Sequence, residues 1–209
     1  MLVSVLDDDP ELEAALRAAA GRLRAPEAPP PLAGRADRDD LLDVAYATAD
    51  SPVGPLLLAA TPAGVVRVSF AREGFDAVLA SLAARISPRV LEAPARLDPA
   101  RRQLDEYFAG RRTDFDVPLD WQLASGFRAR VLHAIAAIPF GGTGTYRSIA
   151  TAAGSPAAVR AAGTACATNP IPLLVPCHRV VRSDGTMGRY GGGVEAKRLL
   201  LEHEHALPA

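Results

Sequence analysis

The sequence predicts an α+β chain in two domains, a small sheet-plus-helix domain and then a helical, winged helix-turn-helix-like one. Three observations carry this. Apolar, β-branched runs at 43–49, 56–61 and 65–70 are cut by turn signals and then yield to helical periodicity. Two short helical stretches flank Gly154-Ser155 at helix-turn-helix spacing. Behind them come Val175-Pro176-Cys177-His178-Arg179-Val180 and, further on, Gly191-Gly192-Gly193.

Composition sets the bounds. The 209 residues are 49% hydrophobic, enough for a sizeable core. Two cysteines and four histidines argue against a disulfide framework or a structural zinc site, so no metal or cofactor is expected and a reducing cytoplasm fits. No run approaches the roughly 20 apolar residues of a membrane span, and the acidic start (Asp7, Asp8, Asp9) does not read as a signal peptide. The net charge of −1 hides an asymmetry. Residues 1–43 hold ten acidic and five basic side chains, residues 121–209 four and nine. Only the C-terminal part has the electrostatics for a polyanion, although ordinary solvated charge would look the same.

In chain order, residues 9–24 read as a helix capped by Asp9, with Leu12, Leu16, Ala19 and Leu23 on a narrow face. It either docks on the body or is marginal by itself. Residues 25–36 are a Pro-rich linker. Strands at 43–49, 56–61 and 65–70 form an antiparallel meander. Helices follow at 75–86 and 99–109, the second ended by Gly110. No paired carboxylates, phosphate loop or metal-spaced His marks this domain, so its expected role is scaffold.

A helix at 126–138 turns Phe127, Val131, Leu132, Ile135 and Ile138 inward. The glycines of 140–146 lack the P-loop pattern and read as a turn delivering Tyr146. Helices at 148–153 and 156–168 follow. The second carries Ala158, Arg160 and Gly163 but almost no base-reading side chain. It suits close approach to a backbone or groove without sequence choice, or equally an Ala-rich core helix with one solvated Arg. Asn169-Pro170-Ile171-Pro172 ends it. A short strand at 173–175 leads to the Cys, residues 179–183 and 187–190 suggest a hairpin or wing about Asp184-Gly185, and the last helix spans 195–205.

A Cys beside a His is a nucleophile beside a base, and the thiolate is the reactive form. Neighbouring side chains in extended chain point apart, so a bridging water is the expected proton route. A buried Cys that merely packs is the competing reading.

Asn169-Pro170-x-Pro172-x-x-x-Pro176-Cys177-His178-Arg179-Val180, Tyr190-Gly191-Gly192-Gly193 and a closing Leu-Leu-x-x-His-Glu closely resemble the O6-alkylguanine-DNA alkyltransferases, from about Phe127 to Glu204. Residues 41–120 fit that family's variable N-terminal domain loosely, and residues 1–40 fall outside it. The resemblance implies a ribonuclease H-like N-terminal domain at 41–120, a catalytic, DNA-binding domain at 121–209, and an added extension at 1–40. It implies single-turnover transfer of an alkyl group from O6 of guanine, and from O4 of thymine, to Cys177. His178 would take the thiol proton through water, with Glu204 polarising His178. Asn169 would order the turn, and Tyr146 would donate to the leaving base. Arg160 would fill the hole left by the flipped nucleotide, with Ala158, Gly163, Tyr146 and Arg179 at the DNA. Val180, Tyr190, Gly191, Gly192 and Pro172 would line the base site. Gly191 stands where common members carry Ser, which removes one side-chain contact. The implied partner is double-stranded DNA containing O6-alkylguanine, met in the minor groove without sequence preference by a monomer, with no membrane. The rivals are a non-enzymatic helix-turn-helix regulator and a Cys-dependent hydrolase that turns over through a thioester.

Overall fold

A computed structural model describes residues 42–206. The helix and linker expected at 9–24 and 25–36 lie outside them.

Strands β1 (Val44–Ala49), β2 (Leu56–Thr61) and β3 (Gly64–Phe70) form the expected antiparallel meander. Strand β4 (Val90–Glu92) was not expected. It pairs parallel with β1, giving the order β3-β2-β1-β4. At three residues it is too short for a periodicity signal. Helix α1 (Phe75–Arg85) precedes β4 and helix α2 (Pro94–Phe108) follows it. Helix α2 starts five residues before the expected Pro99. Pro94 takes the first-turn position, and Pro99 is carried inside at the cost of one ladder bond.

Strand β2 is buried on both faces, and its alternation divides two cores. Leu56, Leu58 and Ala60 face Leu97, Ala100, Leu104 and Tyr107 of α2. Leu57 and Ala59 face Val78 and Leu82 of α1. The first core continues without a break into the C-terminal half through Val131, Leu132, Ile135, Ile171, Val175 and Leu200.

That half contains α3 (Gly126–Ala136), the short strand β5 (Gly144–Thr145), α4 (Tyr146–Ala152), α5 (Val159–Ala167), β6 (Val180–Val181) and α6 (Val194–His203). Helices α4 and α5 form the helix-turn-helix pair, packed on α3. Two expectations fail here. Residues 173–175 are a buried turn, not a strand. Pro170, Pro172 and Pro176 withhold ladder donors, Leu173 adopts φ 73°, and only a Pro172–Val175 bridge forms. The hairpin at 179–190 is also absent. Val180–Val181 pairs parallel with Gly144–Thr145 instead. The Asp184-Gly185 turn survives, closed by Arg182 N–H to the Thr186 carbonyl at 2.9 Å.

The sheet edge holds the irregular turn. The Val68 N–H of β3 donates to the Pro170 carbonyl at 2.9 Å. Among the described residues no helix is long and apolar enough to cross a membrane.

Candidate active site

Every residue from Asn169 to Val181 is buried. A buried, irregular segment needs partners for its backbone, and here side chains supply them. Asn169 Oδ1 accepts the Ile171 N–H at 3.0 Å, and its Nδ2 donates to the Val175 carbonyl at 2.8 Å. The same Nδ2 donates to Cys177 Sγ at 3.2 Å. The turn that presents the thiol thus also binds it. Cys177 opens a 3-10 turn, Cys177–Arg179, and is 6% exposed.

His178 follows Cys177 in the same 3-10 turn, and no hydrogen bond joins the two side chains. Its Nε2 meets Glu204 Oε1 at 2.9 Å. A carboxylate only accepts, so Nε2 carries the hydrogen and Nδ1 keeps a free lone pair. Nδ1 is buried without a protein partner. Glu204 caps α6, where His205 in the left-handed region (φ 54°) ends the helix. It also accepts Arg179 Nε at 2.8 Å and Nη2 at 3.0 Å, and the Tyr107 hydroxyl at 2.7 Å.

These contacts set the ionisation. Burial pushes Glu204 up, but the hydrogen bonds from His178, Arg179 and Tyr107 outweigh it and hold the carboxyl at about 2. Burial lowers His178, against the pull of Glu204, so the resting imidazole is neutral. Burial pushes the Cys177 thiol up to about 11, while Asn169 and the nearby Lys197 pull it back toward the thiolate. Cys166, on α5, is pushed up to about 12 and has no adjoining base.

Tyr146 is pinned by β5 at the start of α4, where Thr145 and Ser148 form a capping box. Burial raises its phenol, so it is a hydrogen-bond donor at neutral pH. Its ring lies against Gly163, and a Cβ on Gly188 would sit 2.9 Å from its hydroxyl. Tyr190 packs edge-on to Phe70 and His178 with ring centroids 5.4 and 6.2 Å away. The triple glycine backs onto the sheet domain. A Cβ on Gly192 would fall 2.8 Å from Phe70, one on Gly191 at 3.9 Å, so packing explains Gly192 as directly as ligand approach does. Arg160 stands exposed in the first turn of α5, in a smooth surface with Ala157, Ala161 and Thr164. Ala158 and Gly163 are half-buried beside it.

One assignment needs correction. Arg179 cannot face DNA, because it is 5% exposed and its guanidinium is committed to Glu204 and, at 2.5 Å, to the Ile138 carbonyl. Pro172 is buried within the same turn as Cys177. Two contributors were missed. Lys197 is fully buried, and its ammonium donates to the Val180 carbonyl at 2.6 Å and to the Met187 carbonyl. Burial lowers it to about 8. Its place on the apolar stripe with Leu200 and Leu201 was a legible signal. Tyr107 gave a weaker one, as a core-facing Tyr whose hydroxyl needs a partner.

This geometry fits a thiol-dependent group-transfer protein that carries a helix-turn-helix. The ribonuclease-like domain of 6-O-methylguanine DNA methyltransferase matches residues 44–121, and the DNA-binding domain of the same family matches 126–206. The methylated-DNA–protein-cysteine methyltransferase of Mycobacterium tuberculosis (strain H37Rv) is 41% identical over 167 residues, 76% of this chain and 91% of the relative. That of Methanosarcina barkeri is 36% identical, covering 76% and 96%. The crystal structure of the M. tuberculosis O6-methylguanine methyltransferase superposes with a TM-score of 0.69 at 38% identity, covering 79% of this chain and 94% of that one. Its complex with DNA gives 0.67 at 38% identity, covering 79% and 96%. The chain belongs to the methylated-DNA–protein-cysteine methyltransferase family. Its activity is direct-reversal DNA repair, in which an alkyl group passes from DNA to a cysteine of the protein.

Proposed function

We propose that Cys177 is the acceptor and O6-alkylguanine in duplex DNA the substrate, with O4-alkylthymine as a second one. What carries the reading is the Cys177 thiol, held by Asn169 next to a neutral imidazole backed by an ionised carboxylate. His178 Nδ1 takes the thiol proton through one water, and Glu204 stabilises the imidazolium that results. The thiolate attacks the alkyl carbon in line. A carbon–sulfur bond forms, the carbon–O6 bond breaks, and its electron pair passes into the guanine. Tyr146 donates to the ring as that charge builds. The product thioether has no carbonyl for water to attack, so each molecule acts once.

The guanine must leave the stack, which costs a few kcal/mol. Arg160 enters from the minor groove and fills the gap, an arrangement other groove-wedging proteins use to offset unstacking. The smooth α5 surface reads no sequence, as a protein acting at any lesion requires. The extruded base lies between the Val180 backbone and the Tyr190–Gly192 loop. The protein acts as a monomer in the cytoplasm, at the nucleoid. Residues 1–40 are an extension outside the catalytic architecture, with the boundary between the two domains near residue 121.

The test is transfer from duplex DNA containing O6-methylguanine, in excess. Product plateaus at one equivalent, with one added methyl on the peptide that contains Cys177. Cys177→Ser binds DNA and transfers nothing. Continued product, or label on Cys166, overturns the mechanism.

A further inference from the structure

The N-terminal domain carries no acid, base or nucleophile at the thiol, yet one of its side chains reaches the relay. Tyr107, in the last turn of α2, is 1% exposed and donates its hydroxyl to Glu204 Oε1 at 2.7 Å. That oxygen also serves His178 Nε2 at 2.9 Å and Arg179 Nη2 at 3.0 Å. The ring is fixed from several sides. Phe108 lies 5.1 Å away, Phe115 5.3 Å, Phe140 6.2 Å and His203 4.9 Å, centroid to centroid. His203 Nε2 also donates to the Tyr107 carbonyl at 2.7 Å, tying α6 to α2. The hydroxyl therefore has one direction to point.

We propose that Tyr107 is a positioning residue of the proton relay, one that sets how strongly His178 holds a proton. The inference rests on the reading of Cys177, His178 and Glu204 as that relay. A donor on Oε1 draws charge from the oxygen that faces the imidazole, so less is left to stabilise the imidazolium. Burial, and then the Glu204 charge, push the phenol far above the usual tyrosine range, so it remains a donor throughout the working pH. Phenylalanine at 107 would keep the ring packing and remove only the donor. Glu204 would then hold the imidazolium more tightly, and His178 would stay protonated to higher pH. The acid limb of the rate profile therefore moves up, by about one pH unit for a hydrogen bond to a charged group.

The experiment is the pH dependence of single-turnover methyl transfer for four full-length proteins: wild type, Tyr107→Phe, Glu204→Gln and the double variant. The expected result is an upward shift for Tyr107→Phe that vanishes when it is added to Glu204→Gln. A Tyr107→Phe profile superimposable on wild type overturns the proposal. So does a shift that persists undiminished in the Glu204→Gln background, because it would then act through the fold. If Glu204→Gln alone leaves the profile unmoved, the relay reading itself fails, a separate outcome. Should Glu204→Gln not fold, Glu204→Asp withdraws the carboxylate from Tyr107 and replaces it in the cycle.

Discussion

The two halves of the molecule bury different things. Around the sheet, β2 and the inward faces of α1 and α2 interlock mainly through apolar side chains, the buried polar ones (Thr61, Ser69, Gln103, Asp120) are neutral but for one carboxylate, and the ion pair of Arg89 with Asp43 lies at the surface. Around the thiol, Asn169, His178, Arg179, Lys197 and Glu204 are all buried within 36 residues of one another. The reason is the backbone. In the sheet domain, ladders and helices satisfy the peptide groups, so side chains are free to be apolar. The 169–181 segment is mostly irregular, and polar side chains stand in for the missing ladder. Asn169 serves Val175 and Ile171, Arg179 serves Ile138, and Lys197 serves Val180 and Met187. The groups that hold the turn also surround the thiol, so structure and reactivity share the same side chains.

Three measurements would break or sharpen that contrast. The largest effect is expected from Arg179→Met, which leaves Glu204 buried without its cation. Losing one partner of a buried pair costs about 3–5 kcal/mol. Urea unfolding should show the midpoint falling by that equivalent with an unchanged slope. A loss well under 1 kcal/mol would mean that Arg179 does not hold the buried cluster together.

Next in size is the acid branch of stability. Glu204 titrates near 4.5 unfolded and at about 2 folded. A depressed folded value gives stability that is present above about 4.5 and is lost as pH falls toward 2. The difference corresponds to about 3 kcal/mol. Denaturation curves across that window should show this loss in wild type and not in Glu204→Gln. An equal acid loss in both would assign the sensitivity to other carboxylates.

The smallest effect is expected from Asp43→Asn. Its bidentate contact with Arg89, at 2.8 and 2.6 Å, has good geometry but lies in solvent. The carboxyl is held below its usual range chiefly by the Arg89 hydrogen bond. Solvent and salt screen such a pair, so the unfolding midpoint should remain unchanged. A shift as large as that of Arg179→Met would erase the distinction between the two halves.

Much was legible in the sequence because it is local. The meander follows from β-branched runs and turn residues, and the helices from apolar stripes. The Pro-Cys-His run marked the proposed site before any contact was known. Some local inferences still failed. The apolar run at 173–175 looks like a strand, and only the proline-blocked ladder and the Asn169 bridge make it a turn. Helix α2 begins at a proline five residues earlier than the one that seemed to open it.

Long-range pairing decided the rest. Tyr107 and Glu204 are 97 residues apart, and nothing in the periodicity around either names the other. The family resemblance placed Arg179 at the DNA. Only the closure of α6 onto the turn directs it inward, to the one carboxylate buried there. The sequence by itself determined which residue types could do chemistry and most of the segments that became helix or strand, since both follow from local periodicity and side-chain type. The tertiary structure alone decided which polar groups became buried together. A buried charge is tolerated only with a partner at hydrogen-bonding distance, and that partner is chosen by packing, not by position along the chain.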